Sequence, residues 1–150
     1  MITFQKESFA KFIEDGKEIF AKHNKEVVPQ SEQIPLNVNY EAYFKIEEAN
    51  RLEVYTVRDN GKLIGYTLWM LHYHIHYKSS LTANSTLIYI MPEYRKGLLG
   101  YKLIKWSVAK IKERGVQRLM MGVKPDHDFG KLLERLGATY FEKIYTITVN

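Results

Sequence analysis

The stretch IYIMPEYRKGLLGYKLIKW, residues Ile88–Trp106, decides how the chain is read. An apolar run ends at Pro92. A basic, glycine-containing turn follows, and then apolar residues recur at helical spacing. A helix N-terminus offers about four backbone N–H groups without intrahelical partners. Its macrodipole adds roughly half a positive charge. Glycine lets the backbone come close to a ligand, and Arg95 and Lys96 add fixed charge. A strand, such a turn and a helix together form an anion site suited to phosphate, here Arg95 through Tyr101. A glycine turn with solvated basic residues is the plainer reading of the same letters.

Other glycine loops fit less well. A P-loop needs G-x-x-x-x-G-K-[ST], which is absent. A dinucleotide fingerprint opens an early βαβ unit and is followed by an acid on the next strand. Here the turn comes late, and the next apolar run, VQRLMMGV, carries no acid.

Upstream, residues from about Lys6 to Asn24 read as a helix, with Phe9, Phe12, Ile13, Ile19 and Phe20 on one face and Gly16 among them. HNKEVVPQSEQIPLNVN is a proline-containing loop, long enough to suggest function. A second helix is expected over about Asn39–Asn50, with Asn37 or Asn39 as N-cap. RLEVYTV is a strand, Asn60-Gly61 a hairpin turn, and LIGYTLWMLHYHIHY a long partner strand. TANSTLIYIM is a further strand. Leu99–Arg114 is a helix with Leu103, Ile104, Ser107, Val108 and Ile111 inward, closed by Gly115. VQRLMMGV is a strand and Asp126–Leu136 a short helix closed by Gly137. ATYFEKIYTITV is a terminal strand or pair of strands. The fold class expected is α/β: one domain over residues 1–150, an antiparallel meander followed by β-α-β-α-β, with helices on both faces of a mixed sheet.

The chain of 150 residues, 45% hydrophobic and 26% charged, has the make-up of an ordinary globular domain. It contains no Cys, so thiolate catalysis and Cys-based zinc sites are excluded. Neither a signal peptide nor a long apolar run is visible, which suggests a cytoplasmic protein without a membrane partner. The net charge of +5 favours an anionic partner. Lys and Arg are spread along the chain and not blocked into a tail, which weighs against direct nucleic-acid binding.

The arrangement resembles the GNAT superfamily of acyl-CoA-dependent N-acetyltransferases, some phage-encoded members included. IYIMPEYRKGLLGYKLI is similar to the signature V-x-P-x-[Y]-[QR]-x-x-G-x-[GA], matched at Pro92, Tyr94, Arg95 and Gly100. The first signature glycine falls on Leu98, and a glycine stands one place earlier at Gly97. The resemblance implies acetyl-CoA as cosubstrate, its pyrophosphate on Arg95 and the N–H groups of Lys96, Gly97, Leu98, Leu99, Gly100 and Tyr101. It implies that Ile88, Tyr89 and Ile90 offer backbone bonds to the pantetheine amides, and that their strand splays from RLMMGV. DFGKLLERLGA resembles a later family segment. Leu133 stands there in place of a tyrosine that protonates the leaving thiolate, and Asp126 in place of a cofactor-binding Asn.

Amine acetylation is helped by a base. In AKHNKEV, His23 and Glu26 enter the loop that in the superfamily covers the acceptor, and the phage-type members carry a similar His-x-x-Glu pair. Glu26 is the candidate base; a helix-end salt pair with Lys22 or Lys25 is the plainer use. His72, His74 and His76 alternate, so a strand would put them on one face. There they could line the acceptor cleft, share a metal ion, or form a wet sheet end. Tyr145, Tyr140 or water could supply the thiolate's proton. The expected activity is direct acetyl transfer to a primary amine. The alternatives are a module that binds acyl-CoA without turnover and a metal-assisted nucleobase modifier. A homodimer is compatible with all three.

Overall fold

The computed structural model describes residues 1–29 and 32–149. Gln30 and Ser31, part of the anticipated loop, lie outside the described residues. In chain order the elements are β1 (Ile2–Lys6), α1 (Phe9–Val27), α2 (Tyr40–Glu48), β2 (Leu52–Asp59), β3 (Lys62–Tyr73), β4 (Leu81–Ile90), a 3₁₀ turn (Pro92–Tyr94), α3 (Leu99–Lys112), β5 (Arg118–Met120) and α4 (Gly130–Arg135). The strands form one sheet in the order β1-β2-β3-β4-β5. Pairing is antiparallel from β1 to β4 and parallel between β4 and β5. This is the mixed α/β sheet expected, built around an antiparallel meander.

The hairpin forms where Asn60-Gly61 indicates. Both residues have positive φ, 48° and 86°, the conformation that a tight turn between twisted strands needs. The sheet then buries both faces. Leu52, Val54, Tyr66 and Leu68 face α1 and α2, where Phe9 stacks on Tyr43 at 4.5 Å and Phe12 meets Tyr66 edge-on at 4.8 Å. Tyr55, Trp69, Leu71 and Ala83 face Ile111 of α3. Burying apolar rows on both faces stabilises the sheet by about 25 cal/mol per Å² removed from water. Polar groups on the α3 side are satisfied in a short chain. Trp69 Nε1 donates to Thr67 Oγ1 at 3.0 Å, and that oxygen meets Ser107 Oγ at 2.9 Å.

Four expectations change. The chain opens with a strand, where the periodicity extends a helix back to Lys6. Ser8 Oγ accepts from Lys11 N at 3.1 Å and starts α1 at Phe9. β1 is hidden in sequence because long-range ion pairs hold it. Lys6 Nζ lies 2.9 Å from Glu53, which is 1% exposed and also takes the Tyr55 hydroxyl and Arg114. Glu7 accepts from Arg58 Nε at 2.7 Å. β3 ends at Tyr73, so His74 and His76 lie on a turn and do not share a strand face with His72. The β5 and α4 segments are shorter than VQRLMMGV and Asp126–Leu136. Finally, residues 138–149 form no strand.

Candidate active site

Strands β4 and β5 pair over only three positions, Thr82↔Arg118, Ala83↔Leu119 and Asn84↔Met120, and then part. A bulge in β4 coincides with the parting. Leu68 pairs with Leu87 and Trp69 with Ser85, leaving Thr86 as the extra residue. A bulge bends its strand and re-aims the residues beyond it. The Thr86 hydroxyl secures it with a 3.2 Å bond to the Leu68 carbonyl. The rest of β4, Ser85–Ile90, thereby turns an edge without strand partners toward a cavity of about 460 Å³. The cavity's other walls are the end of α1, the turn from Arg95 to Tyr101, and the segment from Gly122 to Leu132.

The turn has the features of an anion cradle. Gly97 has φ 86°, and nothing of the protein lies within 4 Å of where its Cβ would stand. That left-handed residue reverses the chain just before α3, so the glycine one place early is the one the turn requires. Leu98 caps the helix without a side-chain bond. Among the described residues, no N–H from Lys96 to Tyr101 has a backbone or side-chain acceptor. Gly97, Gly100 and Tyr101 border the cavity directly, while the Leu98 side chain points to solvent at 63% exposure and Leu99 packs against the core.

Beside this turn, in the last turn of α1, Glu26 sits between three groups. Arg95 Nη1 donates to its Oε1 at 2.6 Å, the Tyr89 hydroxyl donates to its Oε2 at 3.0 Å, and His127 Nδ1 lies 3.9 Å away. The Arg95 bond, with help from Tyr89, holds the Glu26 carboxyl below its ordinary value despite partial desolvation. Arg95 also donates Nε to the Ile90 carbonyl at 2.9 Å and lies over the Tyr89 ring at 5.2 Å. Desolvation, reinforced by Glu26, pushes the Tyr89 hydroxyl up. His23 stacks on Tyr89 at 4.3 Å, and its Nδ1 meets the Tyr66 hydroxyl at 2.9 Å. Burial lowers His23 to about 4.

The structure thus gathers Glu26, His23, Ile88, Tyr89, Ile90, Arg95, Gly97, Gly100 and Tyr101 around one cavity. It does not bring Tyr145 there; that side chain is 80% exposed on the C-terminal segment. Asp126 lies in an exposed turn closed by the Lys124–His127 bridge, and Lys124 and His127 line the cavity in its stead. Leu133 is buried and offers no acid. His72, His74 and His76 lie outside the lining. The His74 and His76 rings approach to 4.9 Å, but among the described residues no three His, Asp or Glu side chains gather as a metal-ligand set. Sequence reasoning passed over His127, and it saw Tyr89 only as backbone. Nothing local marks either, because both act through contacts with the distant Glu26.

No curated protein sequence matches the chain. Among solved structures, a ribosomal-protein-alanine N-acetyltransferase from Brucella melitensis biovar Abortus 2308 is 14% identical, with a TM-score of 0.72, covering 100% of both chains. A glucosamine-6-phosphate N-acetyltransferase from Arabidopsis thaliana is 11% identical, with a TM-score of 0.72, over 100% of this chain and 99% of that one. AAC(6')-Iy, in complex with the bisubstrate analog CoA-S-monomethyl-acetylneamine, is 16% identical, with a TM-score of 0.69 over 100% and 99%. At these identities the likeness establishes a shared fold. The family model described as Acetyltransferase (GNAT) family matches residues 13–138, most of the sequence, and the chain belongs to that family.

Proposed function

We propose that this protein transfers an acetyl group from acetyl-CoA directly to a primary amine. The observation that carries the reading is the row of unpaired N–H groups from Lys96 to Tyr101 at the mouth of a cavity whose wall is the released edge of β4. Such a row suits a pyrophosphate, and an unpaired strand edge suits the amides of a pantetheine arm. Two of the structural neighbours named above are N-acetyltransferases named for amine-bearing acceptors, and the third is bound to a bisubstrate analog that contains coenzyme A.

The cosubstrate supplies an activated thioester; the chain's residues position and deprotonate. The β4 edge offers backbone N–H groups that can polarise a carbonyl. Glu26, ionised at neutral pH, accepts the amine's proton. The C–N bond would form as the C–S bond breaks, and the leaving thiolate would take a proton from water, since Leu133 offers none and Tyr145 lies outside the cavity. No Cys is present, so no thioester to the protein intervenes. Leu133 at the position of the family's usual acid favours a second reading, an acyl-CoA-binding module without turnover. Release of free thiol in the presence of an amine panel separates the two. Transfer supports the first reading, and tight binding with no transfer to any amine supports the second.

The cofactor reading has its own test. Coenzyme A at about 100 times its Kd should stabilise the fold by roughly 2.7 kcal/mol. Removing one charged hydrogen-bond donor, by Arg95→Ala, is expected to weaken binding roughly 10- to 100-fold. A thermal-shift titration showing no stabilisation at millimolar coenzyme A would count against the reading. By contrast, His74→Ala and His76→Ala are expected to leave transfer within about 2-fold, because both side chains sit on the turn beyond β3. A larger loss in kcat/KM, or stoichiometric metal by elemental analysis, would return these histidines to the site.

A further inference from the structure

The turn between β3 and β4, HIHYKSS at residues 74–80, holds three aromatic rings at the surface. The His74 and His76 rings approach to 4.9 Å and those of His74 and Tyr77 to 5.5 Å. Tyr77 is 51% exposed, and Tyr73 just before the turn is 52% exposed. The turn is fixed by its own hydrogen bonds. His76 N donates to His74 Nδ1 at 3.1 Å, Tyr77 N to the His74 carbonyl at 2.8 Å, and Ser80 N to the Tyr77 carbonyl at 3.0 Å. The first of these leaves Nε2 as the donor of a neutral His74 ring. Rings gathered in the open in this way mark an interaction surface.

Beside the rings the sheet presents a polar row. His72, Thr82 and Arg118 are in register across β3, β4 and β5, so their side chains share one face. The next row, Leu71, Ala83 and Leu119, packs on the α3 side, which puts the polar row on the opposite face. The Arg118 guanidinium lies over the Tyr77 ring, 4.8 Å from its centre, with the Phe141 ring at 5.8 Å. Among the described residues this guanidinium meets neither an acid nor a hydrogen-bond acceptor. In the middle of the row, Thr82 Oγ1 is buried without a hydrogen-bond partner. Leaving such a hydroxyl unpaired is unfavourable.

We propose that the β3–β4 turn and the row His72–Thr82–Arg118 bind single-stranded nucleic acid. Each half of a nucleotide has a partner here. Unpaired bases stack on the Tyr77, His74 and His76 rings, since every base has a π-face. Arg118 holds a phosphate, whose oxygen also accepts from the Thr82 hydroxyl. Charge agrees with this ligand. Neither Asp nor Glu occurs from Gly61 to Pro92 or from Arg114 to Pro125, the two stretches that build the surface, and Lys78 on the turn adds a further cation. Lys78 and Arg118 are far apart in sequence, so no basic block shows there; the sheet brings them to one end. The contact of rings with an unpaired guanidinium favours this ligand over others. An acidic peptide has no use for the rings, and a duplex keeps its bases stacked inside. The site lies outside the cavity lining, and the inference is independent of acetyl transfer.

The test is fluorescence anisotropy with a labelled single strand of about 12 nucleotides, within the usual footprint of roughly 4–16. With two phosphate contacts, from Arg118 and Lys78, affinity should fall roughly 7-fold between about 50 and 200 mM salt. Tyr77→Ala should weaken binding roughly 5- to 100-fold, the effect of losing one stacked base, and Tyr77→Phe should restore it. Arg118→Gln should weaken binding and reduce the logarithmic salt slope by about 0.7. Far-UV spectra of these variants should match the wild type, because the turn lies at the surface. A duplex of the same sequence should bind at least about 10-fold more weakly. Absence of binding at about 50 mM salt overturns the proposal. So does wild-type affinity in Tyr77→Ala or in Arg118→Gln, or a duplex bound as tightly as the single strand. Binding lost in Arg95→Ala overturns it as well, by assigning the strand to the turn before α3.

Discussion

Glu26→Gln is expected to lower kcat for amine acetylation by roughly 10²- to 10⁴-fold, the usual contribution of a positioned base. The substitution keeps the shape and an acceptor oxygen but removes the proton-accepting carboxylate. Glu26 suits the task because it is ionised, lies at the cavity, and is fixed by Tyr89 at 3.0 Å as well as by Arg95. The Arg95 pairing has a consequence for affinity. The same guanidinium that would hold the coenzyme's phosphates is bonded to Glu26 in the free protein, at 2.6 Å. A phosphate bound there would therefore compete with Glu26 for Arg95. Removing the carboxylate's charge should leave coenzyme A binding unchanged or tighter while kcat falls. A phosphate that drew Arg95 away would remove the main cause of Glu26's depressed pKa and let the carboxyl return toward its ordinary value. Steady-state kinetics with a thermal-shift titration on the same preparation separates the effects. Activity within about 3-fold of wild type would remove Glu26 from the base role.

The second large effect is on stability. His23 is neutral and buried between Tyr89 and Tyr66, with a pKa of about 4 against 6.5 when free. Between these values the unfolded chain binds more protons than the folded one, so unfolding free energy falls as pH falls. Its contribution is complete above pH 6.5 and lost by about pH 4, amounting to roughly 3 kcal/mol. Depressed carboxylates such as Glu7 and Glu26 act in the same direction, but only below their ordinary value of 4.5. The window between pH 6.5 and 4.5 thus belongs mainly to His23. Urea unfolding across it should show a steep slope for the wild type and a flatter one for His23→Gln, which keeps a polar partner for Tyr66. Equal slopes, or an NMR titration of His23 centred near 6.5, would contradict this placement. His23 thereby serves the site as a fixed neutral wall and not as a proton acceptor at neutral pH.

Much of this molecule is written locally. The Asn60-Gly61 hairpin, the α3 face with Leu103, Ile104, Ser107 and Ile111, and the turn before it are all read from neighbouring residues, because turn geometry and helical periodicity are local properties. The family signature belongs with them: Pro92, Arg95 and Gly100 specify a turn, and a turn needs only its own residues. The early glycine is the instructive departure. Its spacing looks wrong beside the family pattern, yet the positive φ at Gly97 shows the chain reversing one residue sooner with the N–H row still free.

What escaped the sequence depends on partners far along the chain. β1 follows from Lys6 meeting Glu53 and Glu7 meeting Arg58. The bulge at Thr86 is a mismatch of register between two strands, which neither strand shows alone. His74 and His76 alternate as a strand would, but β3 stops at Tyr73, where its pairing with β4 runs out at Leu81. ATYFEKIYTITV has the composition of a strand, yet among the described residues it pairs with none, because propensity alone does not supply a ladder partner. By itself the sequence determined the sheet's central meander, the glycine turn before α3 and the family. Tertiary structure alone decided that Tyr89, Arg95 and His127 converge on Glu26, that His23 is buried, and that residues 138–149 form no strand. Hydrogen bonds between distant residues, and the exclusion of water around them, exist only once the chain has closed on itself.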